Sequence, residues 1–485
     1  MRRWATAVLV LAALTACSSP EPARPADLGR DLAATITADG MYGHLRKLQE
    51  IADANHGNRA KGTAGFDSSV DYVAQFLRDK GFDVQTPEFE LLDGTQGGKP
   101  TLSIAGRDHH VDQASLLKTT PPRGLTAITL RPQKPAGCRA ADYGARPVRG
   151  AIAVVDDTGC SVVDKQNAAV DRGAFGLLVV SAPGSGGSPA GLFPPGYYQQ
   201  LSIPVGVIGT DADAALRRTD TPVRLVLDSK PVMTRSRNVV AQTKSGNTDN
   251  VVLVGAHLDS SAASPGVNDN GSGVAAVLEI AAALGPQPNA ANAVRFAFWG
   301  SEENALQGSA KYVQGLKPDE LDAIALYLDF DMLGSQNPGY FTYDGDQTAQ
   351  ANPAIPSRTV PDGSAGIERT LAGYLNLAGV RPADMPLSIN TDYHAFLAAG
   401  VPVGGLTAGS SQRKSQVQAR LWDGSAGAPF DPNYRTARDT VDNINRNALS
   451  LLGSAAAFAV GTYAQSVEGV NGVPQRADRH RGSHR

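Results

Sequence analysis

In the second half of the chain, short apolar segments alternate with segments of helical spacing, and acidic or imidazole side chains follow the apolar ones. His257 ends VVLVGAH, Asp269 lies in GVNDNGSG, Glu302 and Glu303 follow FAFWGS, and Asp331 follows LYLDF. Alternating strands and helices indicate an α/β fold with a mostly parallel sheet flanked by helices. Loops at the carboxyl ends of such strands carry the reactive groups. The sequence therefore predicts that these side chains meet at one sheet edge and form a metal centre.

The length of the chain, 485 residues, exceeds what one hydrophobic core usually supports, so we expect two domains. Residues 93–230 contain short strands separated by loops rich in Gly, Pro and Ser, which predicts a β-rich insert. The flanking residues 39–92 and 231–466 then form the larger domain, in which 84–92 alternates as a single strand. Residues 467–485 lack apolar periodicity and are predicted to be a disordered tail.

The N-terminus is predicted to be a targeting segment. Two arginines precede an apolar run at 4–14, which is shorter than the roughly 20 residues of a membrane-spanning helix. The tetrapeptide LTAC resembles the lipobox of bacterial lipoproteins. This implies a signal peptide over 1–17, lipidation of Cys17 and attachment to the outer face of the cell membrane. The alternative is an ordinary secretory signal with an incidental cysteine. Residues 18–38 are predicted to be a flexible tether.

Two cysteines, Cys138 and Cys160, remain after Cys17, and an exported chain favours a disulfide between them over two free thiols. The chain carries 44 basic and 47 acidic side chains, for a formal charge of −3. This balance gives no indication of a nucleic-acid partner.

His257 and Asp259 are two residues apart and face the same side of a strand. Asp259 is expected either to hold the imidazole ring or to brace a catalytic glutamate, and the alternative is a purely structural pair. Asp269 lies in a polar loop before a helix. Its loop either supplies the N-cap of that helix, or its carboxylate bridges two cations. The adjacent Glu302 and Glu303 are suited to two different roles, one as a base and the other as a metal ligand.

Two resemblances to known families rest on longer motifs. The segments GAIAVVDDTGC, DKQNAA and RGAFGLLVV, between 150 and 180, resemble the protease-associated (PA) domain. That resemblance implies a substrate lid or interaction module, and the alternative is an unrelated β insert. Residues 236–461 are similar to secreted zinc aminopeptidases of the aminopeptidase S and aminopeptidase Y type. The matching motifs are GAHLDS, NDNGSG, the Glu-Glu pair, DFDMLGSQNPGYF, GVPVGG and DTVDNIN, and GNRAKGTAGF near the N-terminus fits as well.

The second resemblance implies an aminopeptidase that acts on peptides with a free N-terminus. One zinc would be held by His257, Asp269 and Asp331, and Asp269 would bridge to a second zinc held by Glu303. The general acid/base implied by the family is Glu302, and the residue that stabilises the oxyanion is Tyr434.

One position departs from the family. The family has a histidine directly after the tyrosine, as a ligand of the second zinc, whereas this chain has Arg435. A guanidinium has no lone pair to donate and stays protonated. His394 is a weak substitute, because Tyr393 separates it from the aspartate that precedes the family's histidine.

Arg435 leaves three outcomes open: a hydrolase with one zinc, a protein that holds a second metal weakly, or a catalytically impaired lipoprotein that binds peptides. A cyclase acting on N-terminal glutamine is a further alternative.

Overall fold

The computed structural model describes residues 27–145, 148–181, 191–194, 196–469, 472–479 and 481. The predicted signal peptide, with Cys17, lies outside the described residues. None of the helices within the described ranges combines the length and the apolar character that crossing a membrane requires.

The helices and strands are numbered along the chain. The helices are α1 Leu28–Thr35, α2 Ala38–Ala54, α3 Ala64–Asp79, α4 Val162–Asp171, α5 Tyr197–Gln200, α6 Thr210–Leu216, α7 Gly271–Leu284, α8 Gln307–Gly315, α9 Pro318–Ala323, α10 Ser364–Leu377, α11 Tyr393–Ala398, α12 Gln416–Trp422 and α13 Arg446–Gln465. The strands are β1 Asp83–Gln85, β2 Glu88–Gln96, β3 Thr101–Ile104, β4 Arg107–His110, β5 Asp112–Gln113, β6 Leu125–Ala127, β7 Thr129–Leu130, β8 Ile152–Asp156, β9 Gly176–Val180, β10 Val205–Ile208, β11 Val223–Val226, β12 Lys230–Arg237, β13 Val239–Gln242, β14 Asn247–His257, β15 Asn292–Trp299, β16 Ile324–Phe330, β17 Phe341–Tyr343, β18 Ala383–Met385 and β19 Val403–Thr407.

The larger domain is built on an eight-stranded sheet with the strand order β1-β13-β15-β14-β16-β19-β17-β18. Its centre is parallel, because β14 pairs in parallel with both β15 and β16, and β16 pairs in parallel with β19. Helices α2, α3, α7, α10 and α13 cover one face, and α8, α9 and α11 cover the other. The predicted fold, a mostly parallel sheet flanked by helices, is confirmed.

The two ends of this domain meet where α1 packs against α13. The helices approach closely at glycines: a Cβ atom on Gly29 would lie 2.5 Å from Thr462 Oγ1, and one on Gly461 would lie 2.6 Å from the carbonyl oxygen of Leu28. Leu32 and Ala33 of α1 are buried in the main core. The prediction of a flexible tether over 18–38 is therefore wrong for the residues of α1.

The insert is joined to the larger domain through a two-stranded antiparallel ribbon of β2 and β12. It contains a five-stranded sheet, β5-β10-β9-β8-β7, and a four-stranded sheet, β4-β3-β11-β6. A disulfide joins Cys138 to Cys160, whose Cα atoms are 5.9 Å apart. The fully buried Lys165 donates to the carbonyl oxygens of Ala136 and Thr158 at 2.7 and 2.6 Å, so it ties together the same two loops as the disulfide.

Two further predictions from the sequence are wrong. Residues 84–92 do not form one strand: β1 belongs to the main sheet and β2 to the ribbon, with a break at Pro87, which has no amide hydrogen for a ladder bond. The described part of the tail is not disordered either. Val473 is buried in the main core, and Arg479 donates to the carbonyl oxygens of Asp249 and Asp322 at 3.0 and 2.7 Å. Guanidinium contacts to backbone carbonyls hold this segment, and apolar periodicity does not detect them.

Candidate active site

Four neighbouring parallel strands end at one edge of the sheet, and the predicted site residues lie there. His257 is the last residue of β14, Glu302 and Glu303 follow β15, and Asp331 follows β16. Asp269 lies between β14 and α7. Chain topology therefore brings together side chains that are as many as 74 residues apart, as the pattern of strands predicts.

His257 is the centre of this cluster. Its Nε2 lies 3.3 Å from Asp269 Oδ1, 3.6 Å from Asp331 Oδ1 and 3.8 Å from Glu302 Oε2. Its Nδ1 lies 3.1 Å from the carbonyl oxygen of Asp259, which can only accept a hydrogen bond. The proton of the neutral ring therefore belongs on Nδ1, and the lone pair of Nε2 faces the carboxylates.

The donor set fits a divalent cation. One ligand atom from each of His257, Asp269 and Asp331 lies within 4.8 Å of the other two. Asp269 Oδ2 and Asp331 Oδ1 are buried and make no hydrogen bond. Buried carboxylate oxygens without a hydrogen-bond partner are unfavourable, and a bound cation relieves that cost. One imidazole nitrogen with two carboxylates is a ligand set suited to zinc, with a coordination position left for water or substrate.

Electrostatics at the site reflect crowded negative charge. Burial raises the pKa of Glu302 well above its usual value, and nearby carboxylates add to the shift. Burial, followed by the charge of Asp269, raises the pKa of Glu303 to about 7. Burial alone would lower the pKa of His257, but Glu302, Asp269 and Asp331 raise it well above its usual value.

Asp259 braces the glutamates. Its Oδ1 accepts a hydrogen bond from the amide of Glu302 at 2.9 Å, and its Oδ2 accepts one from the amide of Glu303 at 3.2 Å. Its carboxylate is 3.9 Å from Nδ1 of His257, so the imidazole is held by the Asp259 carbonyl. Of the two roles considered from the sequence, the geometry matches the bracing of a glutamate.

The loop of Asp269 is fixed from two sides. Asp439 accepts from the amides of Asn268 and Asp269 at 2.7 and 3.1 Å. The fully buried Arg59 donates to the carbonyl oxygens of Pro265 and Gly266 at 3.0 and 2.6 Å. The N-cap of α7 is Asn270, so the carboxylate of Asp269 is not used as the cap.

The sequence alone does not predict that Arg59 and Asp439 support this loop, although the two residues lie in the motifs GNRAKGTAGF and DTVDNIN. It also missed Asp392, which is buried and close enough to raise the pKa of Glu302 by its charge.

Arg435 lies on the far side of Asp269 from His257. Its Nε is 3.3 Å from Glu303 Oε1 and 3.6 Å from Asp269 Oδ2, and its Nη2 contacts Glu303 Oε2. The guanidinium also lies over the ring of Tyr434, 5.0 Å from the centroid. Asp269 thus points one oxygen at the imidazole and the other at the guanidinium, and bridges the two.

These groups open into a cavity of about 320 Å³. Its walls include Met332, Tyr343, Met385, Tyr393, Gln412 and Tyr434. His394 is not among the described residues that line it. A larger cavity of about 730 Å³ lies near β1 and β13, but its described lining contains none of the clustered residues, so we assign the chemistry to the smaller one.

Comparisons with known proteins identify the family of the chain. Residues 238–460 match peptidase family M28, and residues 125–216 match the PA domain. The chain is 46% identical over 451 residues to the probable lipoprotein aminopeptidase LpqL of Mycobacterium tuberculosis, covering 92% of this chain and 89% of that protein. It is 36% identical over 451 residues to an aminopeptidase of Pseudomonas aeruginosa, covering 90% of this chain and 82% of that protein.

Solved structures show the same fold. The aminopeptidase from Aneurinibacillus sp. strain AM-1 superposes with a TM-score of 0.57 at 23% identity, over 90% of this chain and 96% of that one. The zinc aminopeptidase BSAP from Bacillus subtilis gives a TM-score of 0.51 at 24% identity, over 91% and 98% of the two chains. The protein belongs to peptidase family M28, whose members hydrolyse peptide bonds, and it carries an inserted PA domain. The family resemblance drawn from the motifs is confirmed.

Proposed function

We propose that this protein is an aminopeptidase that uses a single zinc ion to remove N-terminal residues from peptides. The observation that carries the proposal is the convergence of His257, Asp269 and Asp331 beside Glu302. Arg435 forms an ion pair with Glu303 next to this cluster. The named activities of the relatives support an aminopeptidase, and the choice of zinc agrees with BSAP, a zinc aminopeptidase of the same fold.

The metal would be held by His257, Asp269 and Asp331, and when bound it would supply Lewis-acid activation of water and of the scissile carbonyl. Glu302 takes the proton of the attacking water and returns it to the departing amine, a contribution of about 10²–10⁴-fold. Asp259 keeps Glu302 in place through its amide. Glu302 and Asp331 also present negative charge to the ammonium of the substrate.

Tyr434 and Arg435 are the remaining side chains to which we assign roles in the reaction. Burial raises the pKa of Tyr434 well above its usual value, so the phenol keeps its proton and can donate to the developing oxyanion. Arg435 contributes a fixed positive charge at the position that the family resemblance assigns to a ligand of a second cation. A guanidinium stabilises negative charge through its own charge and its N–H donors, but it does not coordinate oxygen as a Lewis acid does, so we expect turnover that is reduced but measurable.

The PA domain is proposed to act as a lid or interaction module for peptides. We further propose that the chain is exported and lipid-anchored through Cys17 to the outer face of the cell membrane. The lipobox-like tetrapeptide and the name of the mycobacterial relative support this location.

Release of p-nitroaniline from leucine p-nitroanilide by the purified, zinc-supplemented protein tests the activity. We expect turnover that a chelator abolishes and that Glu302→Gln reduces by at least about 10²-fold, with zinc content unchanged. Glu320→Gln, which removes an exposed carboxylate on α9, is the matched control.

A specific alternative is a peptide-binding lipoprotein without activity. The ion pair between the Arg435 guanidinium and Glu303 favours it. Absence of chelator-sensitive release, together with identical behaviour of the wild type and Glu302→Gln, would reject the enzyme and leave that alternative.

A further inference from the structure

The mouth of the catalytic cavity is bordered on one side by residues 409–438, which we call the rim segment. Among the described residues that line the cavity, the exposed ones are Asn390, Ser411, Gln412 and Arg435. Exposed lining residues mark the place where the cavity meets solvent. Because all of them except Asn390 belong to the rim segment, a bound peptide leaves the cavity alongside this segment.

Backbone hydrogen bonds bring the two ends of the rim segment together. The amide of Asp431 donates to the carbonyl oxygen of Ser410 at 2.8 Å, and the amide of Phe430 donates to that of Gln412 at 2.9 Å. The stretch that contains Arg435 therefore lies beside the stretch just before α12, although that helix separates the two in sequence. Side chains from both stretches can contact one ligand at the mouth.

The rim segment is basic. It carries five basic and two acidic side chains, in a chain whose acidic residues outnumber its basic ones. Of the two acidic residues, Asp431 is buried and Asp423 is exposed. Arg413, Arg420 and Arg438 are exposed, and none of the three forms an ion pair with a described residue. Unpaired positive charge thus surrounds part of a mouth whose interior is lined by carboxylates.

Two of these arginines lie next to residues of the cavity lining and keep most of their donors free. Arg413 directly follows Gln412, and its Nη1 donates to the carbonyl oxygen of Gly427. Arg438 lies three residues after Arg435, and its Nη2 donates to the carbonyl oxygen of Pro432 at 3.4 Å. A guanidinium has five N–H donors in a planar fork that matches the two oxygens of a carboxylate. The remaining donors can therefore bind a carboxylate of a ligand.

We propose that the rim segment selects peptides with acidic residues shortly after the scissile bond, which Arg413 and Arg438 bind. This rests on the proposed function, because an aminopeptidase holds the N-terminal residue in the cavity and the rest of the peptide at its mouth. An extended chain advances about 3.3–3.6 Å per residue, so side chains two or three residues further on extend towards the rim. Arg435 keeps its contact with Glu303 and is not needed for this selection.

Calorimetric titration of three peptides into the zinc-loaded, full-length Glu302→Gln variant tests the proposal without turnover. The peptides are the C-terminal amides of Leu-Gly-Glu-Glu, Leu-Gly-Gln-Gln and Leu-Gly-Lys-Lys, so they carry no terminal carboxylate. We expect the Kd of the glutamyl peptide to be about 5–10-fold lower than that of the glutaminyl peptide at low ionic strength, since exposed ion pairs are individually weak. The lysyl peptide should bind most weakly. At about 1 M NaCl, where the Debye length is about 3 Å, the preference should disappear.

Substitutions at the two exposed arginines identify the residues responsible. Arg413→Gln combined with Arg438→Gln, in the same Glu302→Gln background, should bring the ratio of the glutamyl and glutaminyl Kd values to about 1. Arg413→Glu combined with Arg438→Glu should reverse the preference in favour of the lysyl peptide. The matched control is Arg358→Gln, which removes an exposed arginine beside Gly400 and Pro402, before the amino end of β19 and away from the mouth.

The absence of measurable binding of the glutamyl peptide, or equal Kd values for the glutamyl and glutaminyl peptides, would overturn the proposal. A preference that persists in both double variants would also overturn it. In the wild type, kcat/KM for the three peptides should follow the same order as the affinities. Failure to hydrolyse any peptide would reject the aminopeptidase but leave the titration results intact, so the two proposals fail separately.

Discussion

Arg435 and Glu303 form a two-pronged ion pair, with Nε of the arginine 3.3 Å from one carboxylate oxygen and Nη2 in contact with the other. The planar guanidinium matches the two oxygens of a carboxylate in this geometry. Since the same Nε is 3.6 Å from Asp269, one permanent positive charge is shared by the two carboxylates that the family resemblance assigns to a second metal.

Replacing Arg435 with histidine should create a second zinc site. The wild type is expected to bind one zinc per chain, and Arg435→His two, because imidazole nitrogen ligates zinc and guanidinium does not. Elemental analysis after dialysis measures the ratio. Arg438→His, three residues further on at an exposed position, should leave it unchanged. A wild type that already retains two tightly bound zinc ions would contradict the role given to Arg435.

The bracing role of Asp259 predicts a loss of rate without loss of metal. Asp259→Asn keeps the shape of the side chain but places an amide donor opposite the amide of Glu302 or Glu303. We expect kcat on leucine p-nitroanilide to fall about 10–100-fold, as for other groups that orient an active site from behind, with zinc content retained. Unchanged kcat, or a fall explained wholly by zinc loss, would argue against bracing.

Zinc binding should release protons at neutral pH. In the metal-free cluster the pKa of His257 is raised well above its usual value by the neighbouring carboxylates, so the ring carries a proton that zinc must displace. The apparent affinity for zinc should therefore increase as pH rises towards that raised pKa. Titration calorimetry in buffers of different ionisation enthalpy counts the protons. Affinity that does not change between pH 6 and pH 8 (about the range in which histidine usually titrates) would contradict this.

The tail segment should contribute measurably to stability. Arg479 is 7% exposed and donates to the carbonyl oxygens of Pro474, Asp249 and Asp322. Arg479→Ala leaves partly buried acceptors unpaired and should cost about 1–3 kcal/mol of unfolding free energy, measured by chemical denaturation. Arg476→Ala removes a more exposed ion pair with Asp249 and should cost less than about 1 kcal/mol. Equal effects of the two substitutions would refute the assigned role.

The sequence predicts the sheet edge and its reactive side chains well, because each of His257, Glu302 and Asp331 directly follows a buried apolar strand. It predicts poorly those features that depend on contacts between distant segments. Arg59 supports a loop about 200 residues away through backbone carbonyls, which leave no trace in composition or periodicity. Helix α1 escapes prediction because its stability comes from packing on α13.

The packing of α1 on α13 also constrains when the enzyme can form. A nascent chain emerges from its N-terminus, so α1 leaves the ribosome long before the helix that will cover it has been translated. Until then, buried residues of α1 such as Leu32 lack most of their neighbours, and the core that holds His257 remains open on that side. The peptidase domain therefore completes its fold only after nearly all of it has been synthesised.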